Sequence, residues 1–178
     1  MREGDSHANA DLIWFYRSVR GSIGAAAIVL TFDVVLSGSF LVSSLLCPIW
    51  ILVSLLKSAI HRPGWGLALA RILIPVLTFC LVRANNTFQL SVAETNGQRI
   101  VAACEEYHAA NGRFPRKLDE LVPKYMNSVP VAKYTLGPWG RFIYVSSKPA
   151  DAMLFWHIVP PHYRKIYRFE TRSWSYLD

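Results

Sequence analysis

The sequence predicts a membrane α-helical hairpin followed by an α+β domain in which one long helix packs on a small antiparallel β-sheet. Three observations predict it. Residues 22–82 carry two long apolar runs almost free of charge, the next thirty or so keep apolar residues at helical spacing, and the remainder is a series of short aromatic and β-branched segments punctuated by Gly and Pro. A chain of 178 residues that is 52% hydrophobic would by composition alone fit one soluble domain. The clustering of those residues instead divides it into an interfacial segment at 1–21, a two-helix membrane hairpin at 22–83 and an extramembrane domain at 84–178.

The N-terminal segment includes "DLIWFYRSVR", whose aromatics and Arg17 and Arg20 suit a headgroup boundary. From Ser22 to Leu56 the only charge is Asp33, and from Gly66 to Val82 the only charge is Arg71. A bilayer core takes roughly 20 apolar helical residues, so each run can serve as a span. The "HRPGWG" of residues 61–66 has the Pro and Gly of a turn between them. The first run starts too far into the chain, and is too long, for a cleaved secretion signal.

Depth follows from the helical rise. Asp33 lies about 36 Å before Lys57, and Arg83 lies about 27 Å beyond Trp65. Both therefore fall toward the membrane face away from the turn, where they either pair within the membrane or sit separately at wet helix ends. Arg71 is about 9 Å from the turn and reaches the same surface as Lys57 and Arg62. Pro48 and Pro75 are positions for helix kinks. With two spans, basic residues are spread over both sides, and charge counting alone does not orient the hairpin. The net charge of +7 suits anionic membrane lipid, since the basic residues are scattered and no nucleic-acid motif is present. Cys47, Cys80 and Cys104 fall one in each span and one beyond.

Past Val82, the residues Ala93, Gly97, Ile100, Cys104 and Tyr107 recur at three and four, with Glu94, Gln98, Arg99, Glu105 and Glu106 on other faces. An amphipathic helix continuing from the second span is predicted, ending at Asn111-Gly112. "RKLDELVPKYM" reads as a short helix. "AKYTL", "RFIYVSS", "AMLFWHIV", "YRKIYRFET" and "SWSYLD" read as strands, with turns at Gly137-Pro138, Lys148-Pro149 and Pro160-Pro161. Short connections favour an antiparallel meander. Between helix and sheet, "YHAANGRFPRKLDELVP" forms a corner: Tyr107 anchors the helix end, Gly112 lets the chain reverse, Phe114 returns to the core, Pro115 starts the next segment, and Leu118, Leu121 and Val122 cover the helix.

An apolar stem running into an amphipathic helix, this corner and an antiparallel sheet together resemble the type II secretion pseudopilins and type IV pilins over residues 66–178. The resemblance implies a long helix on a small sheet and a domain on the extracytoplasmic side of a bacterial inner membrane. The chain departs from that family in three respects. Its stem is internal, neither "GWGLALAR" nor "VRGSIGAAA" supplies the Glu of a prepilin processing site, and Asp151, Glu170 and Asp178 are too far apart for the pseudopilin calcium loop. The resemblance therefore carries fold and location, and no assembly into a fibre. With that orientation the two-span hairpin puts the N-terminus outside and the turn in the cytoplasm.

For chemistry, the candidates are Glu105, Glu106, His108, Asp119, Glu120, His157 and His162, and no nucleophile elbow, HExxH or phosphate loop accompanies them. Glu105 and His108 stand at i, i+3, a spacing compatible with metal, but a second pair is missing. Neither catalysis nor a metal or other cofactor is expected. In "YRKIYRFETRSWSY", Tyr163, Lys165, Tyr167 and Phe169 alternate with Arg164, Ile166, Arg168 and Glu170. Arg164, Arg168, Arg172 and Trp174 are candidates for contact with a protein partner, the alternative being that the aromatics fill a small core and the arginines keep an edge soluble. The expected function is protein recognition at the membrane, as a component or assembly factor of a pilus- or secretion-type envelope machine. The alternatives are an immunity protein that neutralises a secreted toxin and a small oligomeric transporter or membrane enzyme subunit.

Overall fold

The computed structural model describes residues 3–148 and 151–177. In chain order it comprises α1 (Glu3–Leu30), which passes into a π-helical stretch (Thr31–Ser37), α2 (Leu41–His61), α3 (Trp65–Asn111), 3-10 turns at Leu118–Leu121 and Pro138–Gly140, and strands β1 (Ile143–Lys148), β2 (Asp151–Val159), β3 (Tyr163–Arg168) and β4 (Ser173–Leu177). These elements form two compact units, one of Met1–Asp33 with Phe40–Ala84, the other of Val34–Ser39 with Asn85–Asp178.

In the helical unit, the apolar run at 22–56 is two helices, where the sequence suggested one span. The chain breaks at Gly38, whose φ of 57° lies in the left-handed region, and restarts after Phe40, which provides no side-chain cap. The cap comes from the preceding helix. Asp33 is fully buried and its carboxylate accepts the backbone N–H groups of Val42 at 3.2 Å and Ser43 at 2.7 Å, two of the donors that the first turn of α2 leaves over. Among the described residues, three helices are consequently long and apolar enough to cross a membrane, by length and composition: Ile13–Ser37, Leu41–His61 and Trp65–Asn111. The segment expected as a separate interfacial piece belongs, from Glu3 onward, to α1. The turn at Arg62–Gly64 joins α2 to α3, and Pro48 and Pro75 lie inside their helices.

In the sheet unit, α3 runs unbroken to Asn111 and ends as Asn111-Gly112 implied, Gly112 adopting a φ of 70°. Ala93, Gly97, Ile100, Cys104 and Tyr107 are all buried, the stripe that the helical spacing marked. They face a four-stranded antiparallel sheet of order β1-β2-β3-β4. Tyr144, Leu154, Tyr167 and Trp174 form one cross-strand row toward the helix, and Trp156, Lys165 and Tyr176 another. Gly97 sits where a side chain would be tightly crowded: a Cβ there would be 3.2 Å from the Trp156 ring and 3.4 Å from Trp174. A meander of this kind is what the short connections predicted. The Pro160-Pro161 turn joins β2 to β3, whereas Pro149 of the expected β1–β2 turn lies outside the described residues, as does Asp178.

"AKYTL" is not a strand. Its backbone is bonded instead to side chains and to other segments: the Gln89 amide accepts from Tyr134 N–H at 2.9 Å and donates to Tyr134 C=O at 3.1 Å, and Leu136 N–H donates to Val35 C=O at 2.9 Å, while Asn96 donates to the C=O of the preceding Val131 at 2.9 Å. Polar residues on α3 thus take the partners that a neighbouring strand would have supplied. "RKLDELVPKYM" contributes only a single 3-10 turn.

The corner closes the core. Tyr107 donates to Glu120 at 2.7 Å, Tyr144 donates to the Pro115 carbonyl at 2.8 Å, and Phe114 stacks on His108 and tilts against Phe169 at 4.8 Å. Leu121 is fully buried among Ile100, Cys104, Tyr107 and Leu154, while Val122 is exposed.

Candidate partner-binding face

The register that turns Tyr144, Leu154 and Tyr167 toward α3 turns the intervening residues away from it. Ile143, Phe155, Ile166 and Ser175 form one outward row, Val145, Met153, Arg168 and Ser173 a second, and His157, Arg164 and Leu177 a third. Six large apolar side chains therefore share a sheet face with two arginines. Ile143, Val145 and Leu177 are each nearly two-fifths exposed. An apolar centre edged by arginine is the composition of protein-recognition surfaces.

The four residues marked from sequence separate on this sheet. Arg164 and Arg168 lie on the outward face, Arg164 over the Phe155 ring at 5.7 Å and Arg168 donating to Ser175 Oγ at 3.5 Å. Trp174 faces the other way and packs on Trp156 at 5.2 Å and Tyr167 at 4.8 Å, so its role is in the core. Arg172 is in the β3–β4 turn at a φ of 49°, with its Nε 4.0 Å from Glu105 on α3. The alternation of β3 identified the first two correctly as one face, but strands β1 and β2 supply most of that face and were read only as sheet formers.

Two polar atoms on the third row are buried without a partner: His157 Nδ1 and Arg164 Nε, which belong to residues directly opposite one another in the β2–β3 register. Burial, with the Arg164 and Lys133 cations nearby, lowers the His157 pKa and keeps the imidazole neutral at neutral pH. Trp139 meets that ring edge-on at 4.8 Å.

Three of the other titratable candidates, Glu105, His108 and Glu120, have structural work. Glu105 accepts from the Tyr167 hydroxyl at 3.4 Å, and His108 is occupied by its stack on Phe114. Tyr107 and Glu120 shift each other: their hydrogen bond raises the phenol pKa and lowers that of the carboxyl. No three residues of the His, Cys, Asp and Glu set come together as metal ligands among the described residues. Asp33 and Arg83 both flank the start of α2, the carboxylate at the Val42 and Ser43 N–H groups and the guanidinium 4.5 Å over the Phe40 ring.

Helices compatible with a membrane and an α+β unit built on a four-stranded antiparallel sheet define the class. No protein-family model, characterised protein or solved structure matches the chain.

Proposed function

We propose that this chain is a multi-pass bacterial inner-membrane protein whose pilin-like α+β domain faces the periplasm and binds a protein partner, as a component or assembly factor of a pilus- or secretion-type envelope machine. The observation that carries the recognition reading is the outward sheet face, where Ile143, Val145 and Leu177 are exposed and Phe155 and Met153 partly so, beside Arg164 and Arg168. An antiparallel sheet with one face on a helix ordinarily turns polar residues outward, so an apolar outward face calls for something to cover it. The helix that continues from an apolar stem and lies on such a sheet supports the pilin-like reading.

Connectivity supports three crossings. Val34–Ser39 belongs to the same compact unit as the sheet, through Leu136 N–H to Val35 C=O and Lys133 Nζ to Gly38 C=O at 2.8 Å. The joint between α1 and α2 is then on the domain's side of the membrane, and α1, α2 and α3 each cross. This moves the N-terminus to the side opposite the domain, where the two-span reading had put both on one side.

Photo-crosslinking tests the recognition reading. A benzophenone amino acid at Phe155 or Ile143 in the native membrane is expected to trap one envelope protein, and Arg164→Glu with Arg168→Glu to abolish the adduct. Probes at Thr95 or Gln98, exposed on α3, should not trap it. Equal trapping from both sets of positions, or none from the sheet, would refute the assignment. A secreted toxin as the trapped partner would replace the envelope machine with an immunity role.

A further inference from the structure

The helical unit contains a second site, unconnected with partner recognition. A cavity of about 290 Å³ is bordered by Ser18 and Ser22 of α1, Trp50, Ser54 and Lys57 of α2, and Arg71 of α3. Its residues come from three helices, yet they converge at one level. Lys57 is four residues before the end of α2 and Arg71 six residues into α3, about 6 Å and 9 Å from the α2–α3 turn. That is the depth at which lipid glycerol and phosphate meet the hydrocarbon of a bilayer.

The chemistry is cationic and rich in hydroxyls. Among the described residues, neither Lys57 nor Arg71 is in an ion pair with a carboxylate. Two cations lining one cavity beside an apolar helix surface repel each other and gain from an anion supplied by a ligand. Ser54 is only 6% exposed and lies on the cavity wall one turn before Lys57, while Ser18 and Ser22 are one turn apart on α1. Ser18 donates to the Trp14 carbonyl, which leaves its oxygen as an acceptor. A point cation, a guanidinium and serine hydroxyls are together the set that recognises a phosphate oxygen cluster. The neighbouring surface of α2 is apolar and exposed at Ile49, Leu52, Val53 and Leu56, a path for acyl chains.

We propose that this cavity binds the phosphate of an anionic phospholipid headgroup, held by Lys57 and Arg71 with Ser54 at its base. The proposal rests on the membrane reading of the helices and is independent of the partner-binding face. Basic pockets between membrane helices on the cytoplasmic side bind acidic lipid headgroups by the same electrostatics.

The test uses the full chain purified in a neutral detergent. Added phosphatidylglycerol should raise the thermal midpoint by about 3 °C or more at saturation, and phosphatidylcholine should not. Lys57→Gln with Arg71→Gln should remove that response, and Arg62→Gln, which takes away a nearby cation outside the cavity, should retain it. If the double variant does not fold, Ser54→Leu fills the cavity from its serine side and should remove the response without altering charge. Stabilisation by inorganic phosphate at the same concentration would keep the phosphate site and assign it to a free anion; its absence assigns it to lipid. No response to either probe, or loss of it equally in Arg62→Gln, would overturn the site. Alkaline carbonate extraction of the parent chain from membranes keeps the two readings apart, because a parent that washes out refutes the membrane assignment itself.

Discussion

At the scale of single residues, the sheet unit depends on a few side chains whose loss has a definite size. Leu121 is fully buried where the corner folds back onto α3, so Leu121→Ala is expected to cost about 2–5 kcal/mol, a large share of the roughly 5–15 available to a domain. Phe114 is half-buried and its truncation should cost toward the lower end of that range. Chemical denaturation of the full chain in detergent, followed by tryptophan fluorescence, measures both; a Leu121→Ala chain as stable as the parent would remove the corner from the account. Lys133 is a different case. Its ammonium is buried, donates to the Gly38 and Ile158 carbonyls at 2.8 Å each, and is pushed by that burial down to about 8. An unfolded lysine keeps its proton to 10.5, so between the two values the unfolded chain binds more protons and stability rises with pH. The gain of the parent over Lys133→Met should therefore grow from pH 7.5 to 9.5, by at most about 3 kcal/mol, because the two carbonyl bonds favour the charged form. Tyrosines and Cys104 titrate in both chains and cancel in the difference. A gap between the two chains that is constant with pH would contradict the assignment.

At the scale of elements, close approach of α3 and the sheet sets the demand at Gly97. Glycine inside a helix costs roughly 0.5–1 kcal/mol relative to alanine, and it is retained where a Cβ would press on Trp156, Trp174 and Phe142. Gly97→Leu is expected to destabilise the sheet unit by about 1–3 kcal/mol and to blue- or red-shift the emission of the two tryptophans as they are displaced; an unchanged spectrum and midpoint would show that the helix and sheet do not meet there. The α3 stripe was legible in the sequence because three- and four-residue spacing survives the change from apolar stem to amphipathic helix. So were β1 to β4, whose aromatic and β-branched runs are bounded by turn residues. "AKYTL" misled because strand propensity at Tyr134 and Thr135 says nothing of where backbone bonds go, and the deciding partners, Gln89 and Asn96, are more than thirty residues away. The break at Gly38 was hidden for a related reason: its cap, Asp33, acts across the break and carried the only charge in a run that was otherwise uniformly apolar. On the partner face, Arg164 and Arg168 were visible from alternation within β3, but the apolar rows became visible only once register aligned all four strands. In the phosphate cavity, helical rise brought Lys57 and Arg71 to one level, whereas Ser18 and Ser22 were assigned to an interfacial segment and so were not joined to them.

At the scale of the whole molecule, the division of the first apolar run changes the proposed number of membrane crossings from two to three, and with it the distribution of charge. Three crossings bring Arg17 and Arg20, near the start of the first candidate span, to the same side as Lys57, Arg62 and Arg71. The cavity lining agrees, since Ser18 and Ser22 lie beside Ser54, Lys57 and Arg71 within the helical unit. Cytoplasmic loops carry the excess of Lys and Arg, so the proposed three crossings favour an orientation with the N-terminus and the α2–α3 turn in the cytoplasm and the α+β domain outside. Cysteine labelling in intact cells measures this most directly, in a Cys80→Ser background because Cys47 and Cys104 are already buried. A membrane-impermeant maleimide is expected to modify Ser173→Cys in intact cells, and to modify Ser6→Cys and His61→Cys only after the membrane is opened. Labelling of Ser6→Cys together with Ser173→Cys in intact cells would mean an even number of crossings and would contradict the three-span account.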